Sequence, residues 1–266
     1  MSSSVFRPDV LAGKVAFITG GGSGICQGIA RTLMGHGASA AIAGRKADRL
    51  QAAATAMESA TGNPCLATPC DVRDPAAVKA ALDATLARFG RIDVVVNGAA
   101  GNFLAPAAQL SPNGFKTVMD IDAAGTFNVS RAAFDAWLRD HGGIILNISA
   151  TLHYSATPLQ IHASAAKAAV DSITRTLAVE WGPMGIRVNG IAPGPIDGTE
   201  GMSRLAPGDM KQRMIEAIPI RRYGRIDEIA SLALFLCTDA ASLIHGATIV
   251  ADGGAWLGMG RALVQG

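Results

Sequence analysis

Apolar stretches and helix-like patterns alternate along the whole chain. Seven short, largely apolar runs have the length and bounding residues that are typical of buried strands. They are Val15–Thr19, Ser39–Ala43, Cys65–Cys70, Ile92–Val96, Gly143–Ile148, Ile186–Ile191 and Thr248–Val250. Patterns with helical spacing lie near 24–36, 46–60, 75–89, 111–140, 158–181 and 226–237. This alternation predicts an α/β fold with a doubly wound, seven-stranded parallel sheet that helices flank on both faces.

One segment breaks the alternation. Gly194–Pro219 is rich in glycine, proline, methionine and charged residues. Long irregular segments in compact folds are often functional, so we predict a substrate lid at about 194–220. No proline- or serine-rich linker and no repeat divides the sequence, which predicts a single domain over residues 1–266.

Composition narrows the range of partners. Of the 266 residues 49% are hydrophobic and 17% are charged, and the net charge is +2. This near-neutral balance argues against nucleic acid or an anionic membrane as the main partner. No apolar run approaches the ~18 residues of a membrane span. The four cysteines lack metal-binding spacing, which indicates reduced thiols and no metal site.

Both ends of the sequence bear on the expected location. Residues 1–8 lack the apolar core of a secretory signal, and Val264-Gln265-Gly266 is not a peroxisomal targeting tripeptide. A cytoplasmic protein is therefore expected.

A glycine-rich turn follows the first predicted strand. The sequence Thr19-Gly20-Gly21-Gly22-Ser23-Gly24-Ile25-Cys26 joins that strand to a helical pattern. A strand, a glycine turn and a helix in this order bring backbone N–H groups and the positive end of a helix to one spot, which suits a pyrophosphate. The loop alone is weak evidence, since turns use glycine for many reasons.

The loop resembles the TGxxxGxG turn of the short-chain dehydrogenase/reductase family, with Cys26 in place of the third glycine. By this resemblance Gly20 makes the tight turn and Gly24 admits the pyrophosphate, while Cys26 implies slightly wider packing of helix on strand. The resemblance covers nearly the whole chain and implies a Rossmann domain, a nicotinamide cofactor and a homo-oligomer, either a tetramer or a dimer. The implied cofactor-binding residues are Gly20, Gly22, Ser23, Gly24, Ile25, Arg45, Asp71, Val72, Asn97, Ala99, Lys167, Pro193, Gly194, Ile196 and Thr199.

The residues after the second strand bear on the choice between NAD and NADP. Members of the family that use NAD carry an acidic residue there for the ribose 2′-hydroxyl, but this chain reads Ala43-Gly44-Arg45-Lys46. The guanidinium of Arg45 could grip a 2′-phosphate. NADP(H) is therefore the expected cofactor. The alternative is that Arg45 is only a solvent-exposed residue of the loop.

The usual catalytic groups of the family are largely replaced. Lys167 is kept, but Ala163 stands at the tyrosine position, Ala150 at the serine position and Asp122 at the asparagine position. Reducing a ketone requires a proton on its oxygen as the hydride arrives, which is the tyrosine's task. Adding hydride to a conjugated thioester is less demanding, because the charge delocalises and the proton goes later to carbon.

This pattern resembles the 2,4-dienoyl-CoA reductases, most closely the peroxisomal type. The resemblance is carried by residues 99–103, 115–122, 179–182, 193–196 and 250–257. It implies an acyl-CoA substrate, with hydride from NADPH going to C5 and a proton reaching C2, from Asp122 directly or through water, to leave a 3-enoyl-CoA. The implied catalytic residues are Asp122, Lys167 and Asp252, and the implied substrate-binding residues are Asn102, Phe103, Leu152 and Leu159.

Two other interpretations stay open. A carbonyl or 3-oxoacyl reductase could use Tyr154, which follows the fifth strand, as a replacement proton donor. A catalytically inactive relative could bind the cofactor for interaction or sensing. The retained Lys167 argues against that loss, because an idle site has no need of a desolvated ammonium group.

Overall fold

The computed structural model describes residues 5–199, 201–202 and 210–257. Its strands form one parallel sheet in the order β3-β2-β1-β4-β5-β6-β7. The strands are β1 Val15–Thr19, β2 Ser39–Gly44, β3 Cys65–Pro69, β4 Val94–Asn97, β5 Gly143–Ile148, β6 Ile186–Pro193 and β7 Thr248–Ala251. The predicted seven-stranded parallel sheet is confirmed, with boundaries that shift by up to two residues.

Helices connect the strands. They are α1 Gly24–Met34, α2 Ala47–Thr61, α3 Pro75–Phe89, α4 Pro112–Met119, α5 Gly125–Ala133, α6 Arg139–His141, α7 Ile161–Trp181, α8 Met210–Ala217 and α9 Ile226–Leu236. Two π-helical turns, Asp120–Ala124 and Phe134–Leu138, join α4 to α5 and α5 to α6. The predicted helix near 111–140 is therefore one helical stretch that two wider turns interrupt.

The sheet is covered on both faces. Helices α1, α2 and α9 pack on one face, and α3, α5 and α7 pack on the other. Phe17 and Ile18 are neighbours on β1 and are both fully buried, each in a different one of these two layers. A strand with both of its faces in a core reads as a continuous apolar run, which is why β1 shows no polar alternation.

The predicted helix starts follow from local chemistry. The Asp74 carboxylate accepts the N–H of Ala76, and the Ser111 hydroxyl accepts the N–H of Gly114. In both cases a proline follows the cap, where its missing N–H costs no hydrogen bond. These two caps fix the entry into α3 and α4.

Two predicted segments differ from the structure. The helix expected from 158 begins only at Ile161, because Leu159 has a φ of 67° and cannot continue a right-handed helix. The segment 194–220 is not irregular throughout, since α8 lies within it. Residues 200 and 203–209 of that segment lie outside the described residues.

The strand order creates a crevice. From β1 the chain runs outward to β2 and β3, and it then returns to β4 and runs outward in the opposite direction. The loops after β1 and β4 therefore diverge, and ligands of doubly wound folds bind at such a point.

Among the described residues, none of the helices has the length and apolar character that a membrane span requires.

Candidate active site

A cleft of about 420 Å³ lies at the carboxyl ends of the strands, where the order of the sheet reverses. Gly20 has a φ of 70°, and a Cβ there would lie 2.8 Å from the carbonyl oxygen of Gly98. Gly24 opens α1 with a φ of 57°. Thr19 closes the base of the cleft, where its hydroxyl accepts the N–H groups of Gly98 and Ala99.

The chain around this cleft fits a dinucleotide. The glycine loop brings the backbone next to the cleft without side chains, and the start of α1 faces it, as a pyrophosphate requires. Ten of the predicted cofactor residues line the cleft: Gly20, Ser23, Gly24, Ile25, Arg45, Asp71, Val72, Ala99, Lys167 and Thr199.

The other five predicted cofactor residues are not among those that line the cleft. Gly22 accepts the Nε–H of Arg49 at its carbonyl oxygen. Asn97 is buried, and its side-chain amide donates to Ser130 and to Asn147. Gly194 lies against Asp252, where a Cβ would come within 2.5 Å of that residue's own Cβ. Pro193 and Ile196 are buried at the end of β6 and just beyond it.

Cys26, which stands in place of the third glycine, packs against Gly98 in the loop after β4. Its sulfur occupies the space that a side chain at Gly98 would fill, because a Cβ on Gly98 would overlap the Cys26 Sγ. The side chain that Cys26 adds on α1 therefore meets a position without a side chain in the loop after β4. The wider packing of helix on strand stays a prediction. Gly28 serves a different contact, because a Cβ there would overlap Ile226.

We expect Gly98→Ala to lower the free energy of unfolding by about 2 kcal/mol, because it overpacks the contact with Cys26. Cys26→Gly alone costs about 1 kcal/mol as a glycine in a helix. The double variant should be clearly more stable than the sum of both losses predicts, as measured by urea denaturation. Strictly additive losses would contradict this pairing.

The cysteines around the sheet are buried and unreactive. Burial raises the pKa of the Cys26 thiol to about 12, against the opposing charge of Lys167. Burial is also the largest cause that raises the pKa of the other three thiols, to about 11 for Cys70 and about 12 for Cys65 and Cys237. Cys26 and Cys70 both line the cleft, so the cleft carries thiols but no thiolate at neutral pH.

The outer end of the cleft carries Arg45 and Asp71. Arg45 follows β2, is exposed and lines the cleft. Asp71 accepts hydrogen bonds from Arg73, and this contact is the main cause that lowers the pKa of Asp71 to about 2. Asp71 is therefore an anion at physiological pH, and Arg45 adds a smaller attraction to it.

The inner end of the cleft carries a buried ion pair. Lys167 Nζ lies 3.1 Å from Asp122 Oδ2 and donates to the carbonyl oxygen of Ile148 at 2.9 Å. Asp122 Oδ1 accepts the N–H of Gly101 at 2.7 Å. The side chain of Asp122 is 1% exposed and that of Lys167 is 10% exposed. Of the two charged side chains in this pair, Lys167 lines the cleft and Asp122 does not.

A π-helical turn presents Asp122 to this pair. The N–H of Gly125 bonds to the carbonyl oxygen of Asp120, five residues earlier, so the helix is locally widened over Asp120–Ala124. Such turns occur frequently at functional sites, where they redirect single side chains. The sequence suggested a regular helix here and did not reveal the turn.

The position of the missing tyrosine is filled by apolar packing. Ala163 is buried in a small cluster with Val118 and Ala166, against which Met119 and Leu152 pack. In this cluster, Ala163 puts a methyl group where the family resemblance implies a phenol.

Ser149 is a cleft residue that the sequence analysis missed. It follows the last residue of β5, its hydroxyl is buried without a partner among the described residues, and it lines the cleft. The serine position of the family falls on the next residue, Ala150, so the resemblance did not indicate Ser149. Its place at the carboxyl end of a central strand was the available signal.

The predicted substrate residues come from two segments that meet. The Asn102 side chain donates to Gln160 Oε1 at 2.7 Å, and the Phe103 ring stacks on His162 with centroids 4.3 Å apart. The Leu152 carbonyl oxygen accepts the hydroxyls of Thr157 and Ser164, which ties its loop to α7. Leu159 lies at the bend before α7 and is partly exposed.

Tyr154 and Asp252 are engaged elsewhere. The Tyr154 hydroxyl donates to Asp171, which also contacts His153, and burial together with the Asp171 charge raises the pKa of Tyr154 to about 12. Both oxygens of Asp252 accept backbone N–H groups of its own turn, from Gly254 and Trp256. The structure therefore brings Asp122 and Lys167 together but gives Asp252 the geometry of a turn-shaping residue.

Known proteins are similar to this chain over most of its length. Residues 20–255 match the family described as enoyl-(acyl carrier protein) reductase. A peroxisomal 2,4-dienoyl-CoA reductase, (3E)-enoyl-CoA-producing, of Pongo abelii is 55% identical over 254 residues, which are 95% of this chain and 87% of that protein. The protein of the same name from Danio rerio is 53% identical over 254 residues, 95% of this chain and 85% of that protein. The structure of a short chain dehydrogenase from Bacillus anthracis superposes with a TM-score of 0.83 at 41% identity, over 91% of this chain and 96% of that one.

These relatives correct one prediction. The expected cytoplasmic location is wrong, because both reductases are named as peroxisomal proteins. The expectation depended on residues 1–8 and 264–266, and residues 264–266 lie outside the described residues.

Proposed function

Since the chain belongs to the short-chain dehydrogenase/reductase family, we propose that it is a 2,4-dienoyl-CoA reductase that forms a 3-enoyl-CoA. The observation that carries this function is the buried pair of Asp122 and Lys167 beside the apolar position Ala163. That arrangement stabilises negative charge but offers no phenol to protonate an alkoxide.

The family implies a nicotinamide cofactor, which when bound in the cleft supplies the hydride for C5 of the dienoyl chain. Lys167 lines the cleft and holds a positive charge next to the position of the reacting groups. Because its ammonium is nearly buried, the field that it exerts on a developing enolate is weakly screened. Lys167 is therefore an electrostatic catalyst in this proposal, and it also contacts the cofactor.

Asp122 supports the proton transfer to C2. Both of its oxygens are already engaged, because Oδ1 accepts the N–H of Gly101 and Oδ2 forms the ion pair with Lys167. We therefore assign to Asp122 the role of an acceptor that orients Lys167 and a water molecule. The water transfers a proton to C2 and regains one from bulk solvent, so that no hydroxide is left in the site. The sequence left open whether the proton reaches C2 from Asp122 directly or through water, and this proposal keeps the route through water.

The substrate end is formed by Asn102 and Phe103 on one side and by Leu152 and Leu159 on the other. The amide of Asn102 is the polar group of this set and serves the thioester carbonyl, while the three apolar side chains face the acyl chain. The segment at about 194–220 acts as the lid, and Thr199 at its start already reaches the cleft.

One spectrophotometric assay tests the function. Oxidation of NADPH should be rapid with 2,4-hexadienoyl-CoA and negligible with acetoacetyl-CoA, because only the first substrate avoids the need for a phenol. Turnover of acetoacetyl-CoA alone would favour a 3-oxoacyl reductase, and turnover of neither would favour an inactive cofactor-binding protein.

We further propose that the cofactor is NADP(H). Arg45 lies at the lip of the cleft just after β2, and the described chain places no acidic side chain at that point of the turn. A guanidinium suits a 2′-phosphate in both charge and hydrogen-bond geometry.

We expect Arg45→Ala to raise the KM for NADPH by about 10-fold or more, since a charge-assisted contact to the 2′-phosphate is lost. The KM for NADH should change little, because NADH has no phosphate at that position. Steady-state kinetics with both cofactors on the same variant supply the comparison. An equal rise for both would mean that Arg45 does not read the phosphate.

We also infer a homo-oligomer. The side chain of Phe127 on α5 is 48% exposed, and it borders a groove between α3 and α5. An apolar side chain on the outer surface of a central helix is suited to contact with a second copy.

A further inference from the structure

We propose that Gln160 is a positioning residue, which holds the amide of Asn102 so that one N–H points to the thioester carbonyl of the substrate. This inference depends on the proposed function, because it names how the acyl-CoA would be held. It concerns a residue that the catalytic pair does not include.

The contact between the two amides leaves part of Asn102 available. Asn102 Nδ2 donates to Gln160 Oε1 at 2.7 Å. An amide nitrogen carries two hydrogens, so one N–H remains. The Asn102 Oδ1 atom is buried and has no partner among the described residues. The amide of Asn102 is therefore only partly satisfied by the protein, as a ligand-binding amide would be.

Residues 102–105 and 159–162 contact each other at three points, and we call this pair of segments the clamp. The contact between the two amides lies between the other two. The N–H of Ala105 donates to the carbonyl oxygen of Leu159 at 2.9 Å. The Phe103 ring stacks on the His162 ring with an angle of 26° between the planes. With contacts on both sides of Gln160, the clamp leaves its side chain little freedom to turn away from Asn102.

The clamp contains two features that are costly in an ordinary turn. Leu159 has a φ of 67° without being glycine, which costs about 1–2 kcal/mol. His162 is fully buried, and neither ring nitrogen has a partner among the described residues. Strain of this kind persists where the surroundings enforce it and often marks a functional site.

The direction of the hydrogen bond matches the chemistry. As an acceptor, Gln160 makes Asn102 a donor, and a thioester oxygen that gains negative charge needs a donor. Because Ala163 offers no hydroxyl, this donor has to come from another segment. The Asn102 segment begins one residue after Gly101, whose N–H binds Asp122, so the clamp also lies close to the catalytic pair.

A double-mutant cycle tests the proposal, with kcat/KM for 2,4-hexadienoyl-CoA as the readout. Asn102→Ala should lower kcat/KM by about 10²-fold, because it removes a donor to the developing oxyanion. Gln160→Met, which keeps the length of the side chain but not the acceptor, should lower it by about 10-fold through kcat, with an unchanged KM for NADPH. The double variant should match Asn102→Ala alone, since Gln160 acts only through Asn102.

Conservative variants separate positioning from stability. Gln160→Glu retains an acceptor and should recover most of the loss, whereas Gln160→Ser, which shortens the side chain, should behave like Gln160→Met. Thermal unfolding of every variant identifies any that is destabilised, and Gln160→Ser replaces Gln160→Met in the cycle if the latter does not fold.

Several results would overturn the proposal. The role of Gln160 would be contradicted if the losses in kcat/KM of the two single variants multiplied in the double variant, or if Gln160→Met kept full activity. In either case the proposed function stands as long as the wild-type enzyme turns over 2,4-hexadienoyl-CoA. A wild-type enzyme that does not turn over this substrate would reject the function and this inference together.

Discussion

Lys167→Met is expected to lower kcat for 2,4-hexadienoyl-CoA by at least ~10²-fold, because it removes the only charge that the inner cleft offers to a developing enolate among the described residues. The ammonium lies 3.1 Å from Asp122 and is 10% exposed, so solvent cannot replace it. The KM for NADPH should also rise, since Lys167 lines the cofactor cleft. Stopped-flow kinetics at saturating cofactor separate the two effects.

The same variant is expected to be less stable. It leaves the Asp122 carboxylate buried without its cation, which costs about 3–5 kcal/mol. Lys167→Met combined with Asp122→Asn should recover most of this stability, because the buried charge is gone, but none of the activity. This combination distinguishes a catalytic ammonium from a structural one. Lys116→Met is the matched control, since Lys116 forms an exposed pair with Asp120.

Near-normal turnover by folded Lys167→Met would remove Lys167 from the mechanism. A loss of activity that the Lys116→Met control shares would point to a general effect of removing a lysine. Neither outcome is compatible with an electrostatic role at the cleft.

Asp122→Asn is the second large expected effect, a loss of about 10²-fold in kcat with little change in the KM for NADPH. The amide of asparagine has one oxygen, whereas the carboxylate uses two, for Gly101 and for Lys167. The variant can therefore accept from only one of these donors. Its NH₂ group, itself a donor, faces the other one, which is either the N–H of Gly101 or the ammonium of Lys167. Both the orientation of Lys167 and the proton route to C2 are lost.

Asp120→Asn is the control for this substitution. Asp120 lies in the same π-helical turn, but its side chain is partly exposed and pairs with Lys116. It should keep nearly full activity. If Asp122→Asn and Asp120→Asn have the same kcat, the carboxylate of Asp122 only supports the helix. If Asp122→Asn raises the KM for NADPH without lowering kcat, Asp122 acts in cofactor binding.

Local chemistry explains why so much of the fold could be predicted. Strands buried on both faces are continuous apolar runs, and caps such as Asp74 and Ser111 mark helix starts within a few residues. The place of Lys167 and Asp122 was predictable because the carboxyl ends of parallel strands and the helices that follow them meet at one edge.

Contacts between distant segments could not be predicted in the same way. The space for Cys26 comes from Gly98, and the hydroxyl of Tyr154 is held by Asp171, in each case a residue with no periodic relation to its partner. The bend at Leu159 is held by a backbone bond to Ala105, without which its side chain would favour continued helix. Such features depend on tertiary packing, which overrides local propensity.

The burial of the thiols has a consequence for an enzyme that handles conjugated thioesters. These substrates are electrophiles, and a thiolate would add to their double bond and become alkylated. Two of the four thiols line the cleft itself, yet burial keeps the pKa of each at about 11 or above, so that they remain protonated. The burial of these two thiols thus protects the protein from covalent inactivation by its own substrate.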